Sequence, residues 1–79
     1  MMKTAKLFID GDWYSDIFYM FDSNLANIVK IELDDIGVTD CEDGDWFEWH
    51  VENLGGEILI SGTGEVEYIQ RVDLKVNDD

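Results

Sequence analysis

The second half of the chain alternates apolar and polar side chains with a period of two. In the segment 46–52 every second residue is Phe, Trp or Val, and the residues between them include two glutamates and a histidine. Such a period places successive side chains on opposite faces of a β-strand. The segments 57–61 and 65–76 predict two further strands, and the glycines of Gly55-Gly56 and Gly62-Thr63-Gly64 predict short turns between them. The C-terminal half is therefore predicted to be a three-stranded antiparallel meander.

The first half of the chain begins with a strand and a turn. Residues 6–9 predict a strand, and Asp10-Gly11 is a strong signal for a tight hairpin turn. The next segment has two interpretations. Apolar residues at helical spacing after Ser15, a residue suited to capping, predict a helix over 15–27. The alternative is that 13–21, rich in aromatic and β-branched residues, forms the second arm of the hairpin.

The remaining segment of this half predicts a strand and a loop. Residues 29–34 alternate with a period of two, which predicts a half-buried strand, and the acidic, glycine-containing stretch 35–45 predicts a loop. With 79 residues, the chain is long enough for a single domain, 1–79. The predicted fold is α+β, an antiparallel sheet of four to five strands with about one helix packed on it.

Charge limits the partners of the chain. Five Lys and Arg against nineteen Asp and Glu give a net charge of 5 − 19 = −14, and the segment 31–70 contains no Lys or Arg. Such a field repels nucleic acid and anionic membranes, so we expect no direct nucleic-acid or membrane binding and predict a basic protein as partner. The single Cys41 cannot form an internal disulfide, and no apolar run has transmembrane length, which favours a cytoplasmic location.

Catalytic and metal-binding patterns are missing from the sequence. Zinc needs three or four His or Cys ligands, whereas the chain has one Cys41 and one His50. Acidic neighbours oppose formation of a Cys41 thiolate, and the glycine of each acidic turn lies at the wrong offset for a helix-loop-helix calcium site. We therefore predict a protein that is not an enzyme and that uses no metal or cofactor.

The tetrapeptide Asp-Gly-Asp-Trp occurs twice, at 10–13 and at 43–46. The first copy is predicted to be the hairpin turn. The second copy closes the acidic loop and brings Trp46 to a surface without Lys or Arg, where an exposed Trp beside carboxylates is typical of a protein interface. The alternative is that the ring covers the edge of the sheet or a dimer contact. The residues predicted to bind a partner are acidic or aromatic and surround this second copy: Asp40, Glu42, Asp43, Asp45, Trp46, Glu48 and Glu52.

The size of the chain, its acid series and its tryptophans carry a resemblance. The acids run through Glu32, Asp34, Asp35, Asp40, Glu42, Asp43, Asp45, Glu48 and Glu52, with Trp46 and Trp49 among them. In size and composition the chain resembles the small acidic inhibitors encoded by phages, the anti-CRISPR and anti-restriction DNA mimics. The resemblance implies a stoichiometric inhibitor that occupies the nucleic-acid site of a host defence complex.

Two alternatives stay open at this point. An immunity protein or antitoxin would neutralise a basic nuclease through the same charge complementarity. A structural interaction module would use its acidity for solubility alone, and a homodimer is an option because small domains gain stability by oligomerising.

Overall fold

A computed structural model describes residues 1–36, 41–67 and 71–77 and contains one five-stranded antiparallel sheet with a helix on one face. This architecture confirms the predicted α+β fold. The strand order is β2-β1-β3-β4-β5, in which β3-β4-β5 is the predicted C-terminal meander. The elements are β1 Lys3–Ile9, β2 Asp12–Tyr19, a 3-10 turn Asp22–Asn24, α1 Leu25–Ile36, β3 Trp46–Glu52, β4 Ile58–Val66 and β5 Val72–Val76.

The core lies between α1 and the sheet face that it covers, called here the inner face. Leu25, Val29 and Leu33 are buried and follow one another at intervals of four, so they form one side of the helix. Every second residue of the strands meets them from the inner face. The buried strand residues are Ala5, Leu7, Ile9, Ile17, Tyr19, Phe47, Trp49, Val51, Val66 and Val72.

The helix predicted over 15–27 is wrong up to Tyr19, where the hairpin alternative over 13–21 holds, whereas residues 25–27 do lie in α1. Residues of β2 pair with β1 from Lys3 opposite Tyr19 to Ile9 opposite Asp12. The turn takes positive φ angles, 50° at Asp10 and 86° at Gly11, as a tight hairpin requires. Burial alternates at the end of β2, where the residues on either side of an exposed Phe are buried. The aromatic and β-branched residues of 12–19 therefore favour a strand more strongly than their helical spacing favours a helix.

The strand predicted over 29–34 is also wrong, because this segment belongs to α1. Val29 and Leu33 fit both periodicities, since they lie four residues apart. Ile31 distinguishes the helix from the strand. A strand would bury Ile31 together with Val29 and Leu33, whereas in the helix Ile31 is 67% exposed. The helix also extends over residues 35 and 36 of the predicted loop 35–45, and residues 37–40 of that loop lie outside the described part of the chain.

The turn predicted at Gly62-Thr63-Gly64 is absent, because β4 runs straight through it. Both glycines lie on the inner face, Gly62 opposite Trp49 and Gly64 opposite Phe47. A Cβ atom on Gly62 would collide with the carbonyl oxygen of Lys75 and lie 2.8 Å from the indole of Trp49. The glycines therefore make room for two large aromatic side chains of β3.

The strand predicted over 65–76 is divided between β4, which ends at Val66, and β5, and its residues 68–70 lie outside the described part of the chain. β5 begins at Val72, and the backbone N–H of Glu67 donates to the carbonyl of Arg71. This division places Asp73 directly opposite Glu65 on neighbouring strands.

Two side chains of α1 cover the outer edge of β5 at Val72. The Lys30 ammonium donates to the Val72 carbonyl at 2.7 Å, and the Val72 N–H donates to the Asp34 carboxylate at 2.9 Å. Lys30 and Asp34 are themselves paired at 3.0 Å. Burial of the Asp34 carboxyl raises its pKa, but the hydrogen bond from Val72 and the charge of Lys30 outweigh that effect, so the pKa lies below its ordinary value of 3.8.

We predict that Gly62→Ala destabilises the fold strongly. The added methyl group must displace backbone of β5 or the Trp49 ring, so the free energy of unfolding should fall by about 3 kcal/mol. Gly55→Ala is the matched control, because its Cβ would lie 3.4 Å from the Asn53 side chain in an exposed turn. Denaturant titration of both variants measures the difference. Equal stability of the two variants would show that the glycine in β4 is not required for packing.

We predict that Asp34→Ala lowers the free energy of unfolding near neutral pH by about 1 kcal/mol, a value reduced for partial exposure of the carboxylate. Because the pKa is depressed in the folded chain, this contribution is complete above the ordinary value and is lost as pH falls through the folded value. The gap to the wild type should therefore narrow below about pH 4.

Asp35→Ala is the control for this prediction, since it removes the same charge from the next residue of the helix. Its effect on unfolding by denaturant should be smaller than that of Asp34→Ala. A gap between Asp34→Ala and the wild type that is as wide in acid as at neutral pH would contradict the role given to the carboxylate.

Candidate protein-binding surface

Both copies of the repeated tetrapeptide lie at the same end of the sheet. β1 ends where β3 begins, because the two strands are antiparallel and pair from Ile9 opposite Trp49. The hairpin turn is fastened to β3 by two hydrogen bonds: the Asp10 N–H donates to the Glu48 carbonyl at 2.8 Å, and the Glu48 N–H donates to the Asp10 carboxylate at 2.9 Å. The first copy therefore extends the β1–β3 ladder and holds its acids beside those of β3.

The second copy is held against the end of β4. The Gly44 N–H donates to the Val66 carbonyl at 2.7 Å, and the Val66 N–H donates to the Asp45 carbonyl at 2.8 Å. Asp45 also closes the turn with its side chain, which accepts the Glu42 N–H at 3.0 Å. Gly44 has a φ of 92°, which a glycine adopts without strain. The acidic loop is thus fixed to the sheet over residues 42–45.

Convergence of these turns and strand ends collects acids at one end of the sheet. We call this group the acidic end. Each of its members is exposed, and together they come from both tetrapeptides, the residue before the second one, strands β3, β4 and β5, and the residue after β4. They are Asp10, Asp12, Glu42, Asp43, Asp45, Glu48, Glu65, Glu67 and Asp73.

Trp46 lies within the acidic end on the outer face, the sheet face that the helix does not cover. It is 67% exposed, as the strand pattern predicted. Cross-strand pairing puts Trp46 beside Glu65, and Glu65 beside Asp73, in one row across three strands. A shallow, open hollow borders this row, and its lining includes Trp46, both of these acids and Lys75. The row therefore offers a flat aromatic ring next to two carboxylates.

Two cations stand at the margin of the acidic end. Lys75 lies opposite Thr63, next to the row that contains Trp46, and Arg71 directly precedes β5. Both are exposed. The segment 31–70 has no Lys or Arg, but the acidic end is not free of cations, because folding brings Arg71 and Lys75 next to it.

The structure brings most of the predicted partner-binding residues together. Glu42, Asp43, Asp45, Trp46 and Glu48 all belong to the acidic end. Asp40 lies outside the described residues.

Glu52 lies at the other end of β3, paired with Lys6 of β1 and Ile58 of β4. Its carboxylate is 2.7 Å from the His50 ring, which stacks on Phe8 with ring centroids 4.7 Å apart. Glu52 is therefore half-buried and engaged with a histidine.

Five acids of the acidic end were not among the predicted binding residues: Asp10, Asp12, Glu65, Glu67 and Asp73. Asp10 was assigned only a turn role, and its contact with Glu48 depends on the pairing of β1 with β3. Glu65 and Asp73 were assigned to one strand, which would separate them by eight residues. Only the break between β4 and β5 makes them neighbours, whereas the sequence pattern predicts the break at Gly62-Thr63-Gly64.

Comparison with protein-family models, with curated proteins and with solved structures gave no match. Among residues 1–36, 41–67 and 71–77, no three or more His, Cys, Asp or Glu side chains are arranged to hold a metal ion. In the same part of the chain, none of the helical structure has the length and apolar character needed to cross a membrane.

Proposed function

We propose that this chain is a non-catalytic binding protein whose acidic end occupies the nucleic-acid-binding surface of a basic protein. The observation that carries the proposal is the gathering of nine exposed carboxylates around an exposed Trp46 at one end of a sheet. The resemblance in size and composition to phage-encoded DNA mimics suggests the setting, a host defence complex in the cytoplasm. The protein would act there as a stoichiometric inhibitor.

Carboxylate spacing supports mimicry of a phosphate backbone. Neighbouring strands lie about 4.8 Å apart, so the backbone positions of Glu65 and Asp73 are about that far apart across the sheet. Along one strand of duplex DNA, successive phosphates are about 3.4 Å apart in the axial direction. Arginine forks that bind phosphates bidentately bind carboxylates in the same way. A groove lined with such arginine side chains would therefore bind the row that contains Glu65 and Asp73.

Trp46 supplies an anchor that charge alone does not give. Tryptophan is enriched among the residues that dominate the binding energy of interfaces, and its face attracts the guanidinium of an arginine. The ring is exposed beside Glu65, so one arginine of a partner can stack on Trp46 and pair with a carboxylate. This combination favours a basic protein over a simple cation as the partner.

The charge of the whole chain adds to the rate of association. At −14, the molecule attracts a basic surface over a distance set by the Debye length, about 10 Å in 0.1 M salt. Binding should therefore weaken steeply as salt is added, in the way that DNA binding does.

The test begins with capture of partners by the immobilised chain from a cell lysate, with and without excess duplex DNA. We predict that the captured protein binds DNA and that DNA displaces the chain from it. Glu65→Lys should weaken binding of the purified partner by about tenfold or more, because it puts a cation into the acidic row.

Glu57→Lys is the matched control, since it makes the same change of charge at an exposed position in the turn between β3 and β4, at the opposite end of the sheet. It should weaken binding only slightly. If Glu57→Lys and Glu65→Lys weaken binding equally, total charge rather than the acidic end governs binding. A partner that DNA does not displace would refute the mimicry.

A further inference from the structure

The two edges of the sheet differ in their protection. At the β5 edge, Lys30 and Asp34 of α1 bind both backbone groups of Val72. Natural sheets commonly guard an open edge with Lys, Pro or a covering element, because unpaired strand edges recruit other strands. β2 forms the other edge and has no second neighbouring strand among residues 1–36, 41–67 and 71–77. It contains no Lys or Pro, and the register shift of its pairing with β1, between Leu7 and Phe8, is confined to its first half, so 15–19 is a regular open edge.

Large apolar side chains accompany this open edge. Trp13 and Phe18 of β2 are each 59% exposed, and Met20 and Phe21, which follow the strand directly, are at least half exposed. An aromatic side chain buries about 150–250 Å² when it is fully covered. These four therefore offer on the order of 400–500 Å², roughly half of the ~800 Å² per partner in a stable interface, before the strand edge itself is counted.

Local charge decides which partner can approach this edge. The chain has five basic residues against nineteen acids. Two of the five, Lys3 and Lys6, lie on β1 directly beside β2, opposite Tyr19 and Asp16. Lys3 also contacts Asp22 at 3.5 Å. With Asp12, Asp16 and Asp22 against Lys3 and Lys6, the edge has a net charge of 2 − 3 = −1, a small part of the charge of the chain. Two copies can therefore meet here with little repulsion while most of their acids stay apart.

We propose that the β2 edge binds a second copy of this chain, with the two β2 strands antiparallel about a two-fold axis perpendicular to the sheet. The pairing joins two five-stranded sheets into one of ten strands. Both helices then lie on one side, and the exposed rings of the two β2 strands become neighbours on the other. Each copy keeps its acidic end free except at Asp12, the first residue of β2, so the dimer presents two acidic surfaces.

Salt dependence separates this proposal from the proposed function. Two chains of charge −14 repel each other, so added salt should strengthen the dimer, whereas it should weaken binding to a basic partner. Sedimentation of the purified chain at about 0.1 M and about 1 M NaCl measures the first effect without any partner, because the Debye length falls from about 10 Å to about 3 Å. We expect a greater dimer fraction at the higher salt.

Phe18→Lys should weaken dimerisation by about thirtyfold or more, because it puts a charge into the open edge. Trp46→Lys is the matched control: it replaces another exposed ring on the outer face, at the acidic end, and should leave the dimer intact. Amide hydrogen exchange gives a second measurement. Protection over 12–19 should rise with protein concentration, and protection over 72–76 should not.

A chain that sediments as a monomer at both salt concentrations would overturn the dimer, and the open edge would then be left for a different protein. Equal weakening by Phe18→Lys and Trp46→Lys would also overturn it. Neither result bears on displacement of the chain by DNA, so the two proposals fail separately.

Discussion

Two aromatic side chains resting on two glycines hold the sheet together. Trp49 and Phe47 project from the central strand β3 toward the helix, and they lie over Gly62 and Gly64, where a Cβ atom would collide with their rings. The Trp49 indole also donates a hydrogen bond to the Thr63 carbonyl at 2.9 Å. This packing keeps β4 straight past its glycines and sets the register of β3 with β4. That register also determines which residues lie opposite one another on the outer face.

The outer face and the acidic end follow from the same register. With Trp49 opposite Gly62, the alternation of the strands places Trp46 opposite Glu65 and Glu48 opposite Thr63 on the exposed side. The antiparallel return of β5 adds Asp73 to the row. Concentrating carboxylates in this way destabilises the fold by repulsion, so the aromatic packing must offset that cost. A surface that binds a basic partner through clustered carboxylates would require the fold to withstand this repulsion at one end of the sheet.

The sequence predicted correctly those parts of the fold whose residue pattern fits only one kind of secondary structure. The segment 46–52 became β3 with the expected faces, and Asp10-Gly11 became a tight turn. Prediction failed where two periodicities coincide. Val29 and Leu33 fit a strand and a helix equally well, and only packing against the sheet, seen in the exposure of Ile31, separates the two.

The acidic end was predictable only in part for a related reason. Glu42 to Glu48 are close in sequence, so local pattern was enough to group them. Asp10 and Asp73 join them through pairing of distant strands, which a single sequence does not reveal. The glycines of β4 misled because a glycine that makes room for a ring and one that makes a turn look the same in sequence.

NMR titration of the isotopically labelled chain with a short arginine-rich peptide tests whether the acidic end is a localised binding surface for a basic protein. We predict amide shift changes concentrated at 10–12, 42–48, 63–67 and 72–74, little change at 53–57, and reversal in about 1 M salt. Shift changes spread evenly over the acidic residues of the whole chain, or concentrated away from these segments, would contradict it.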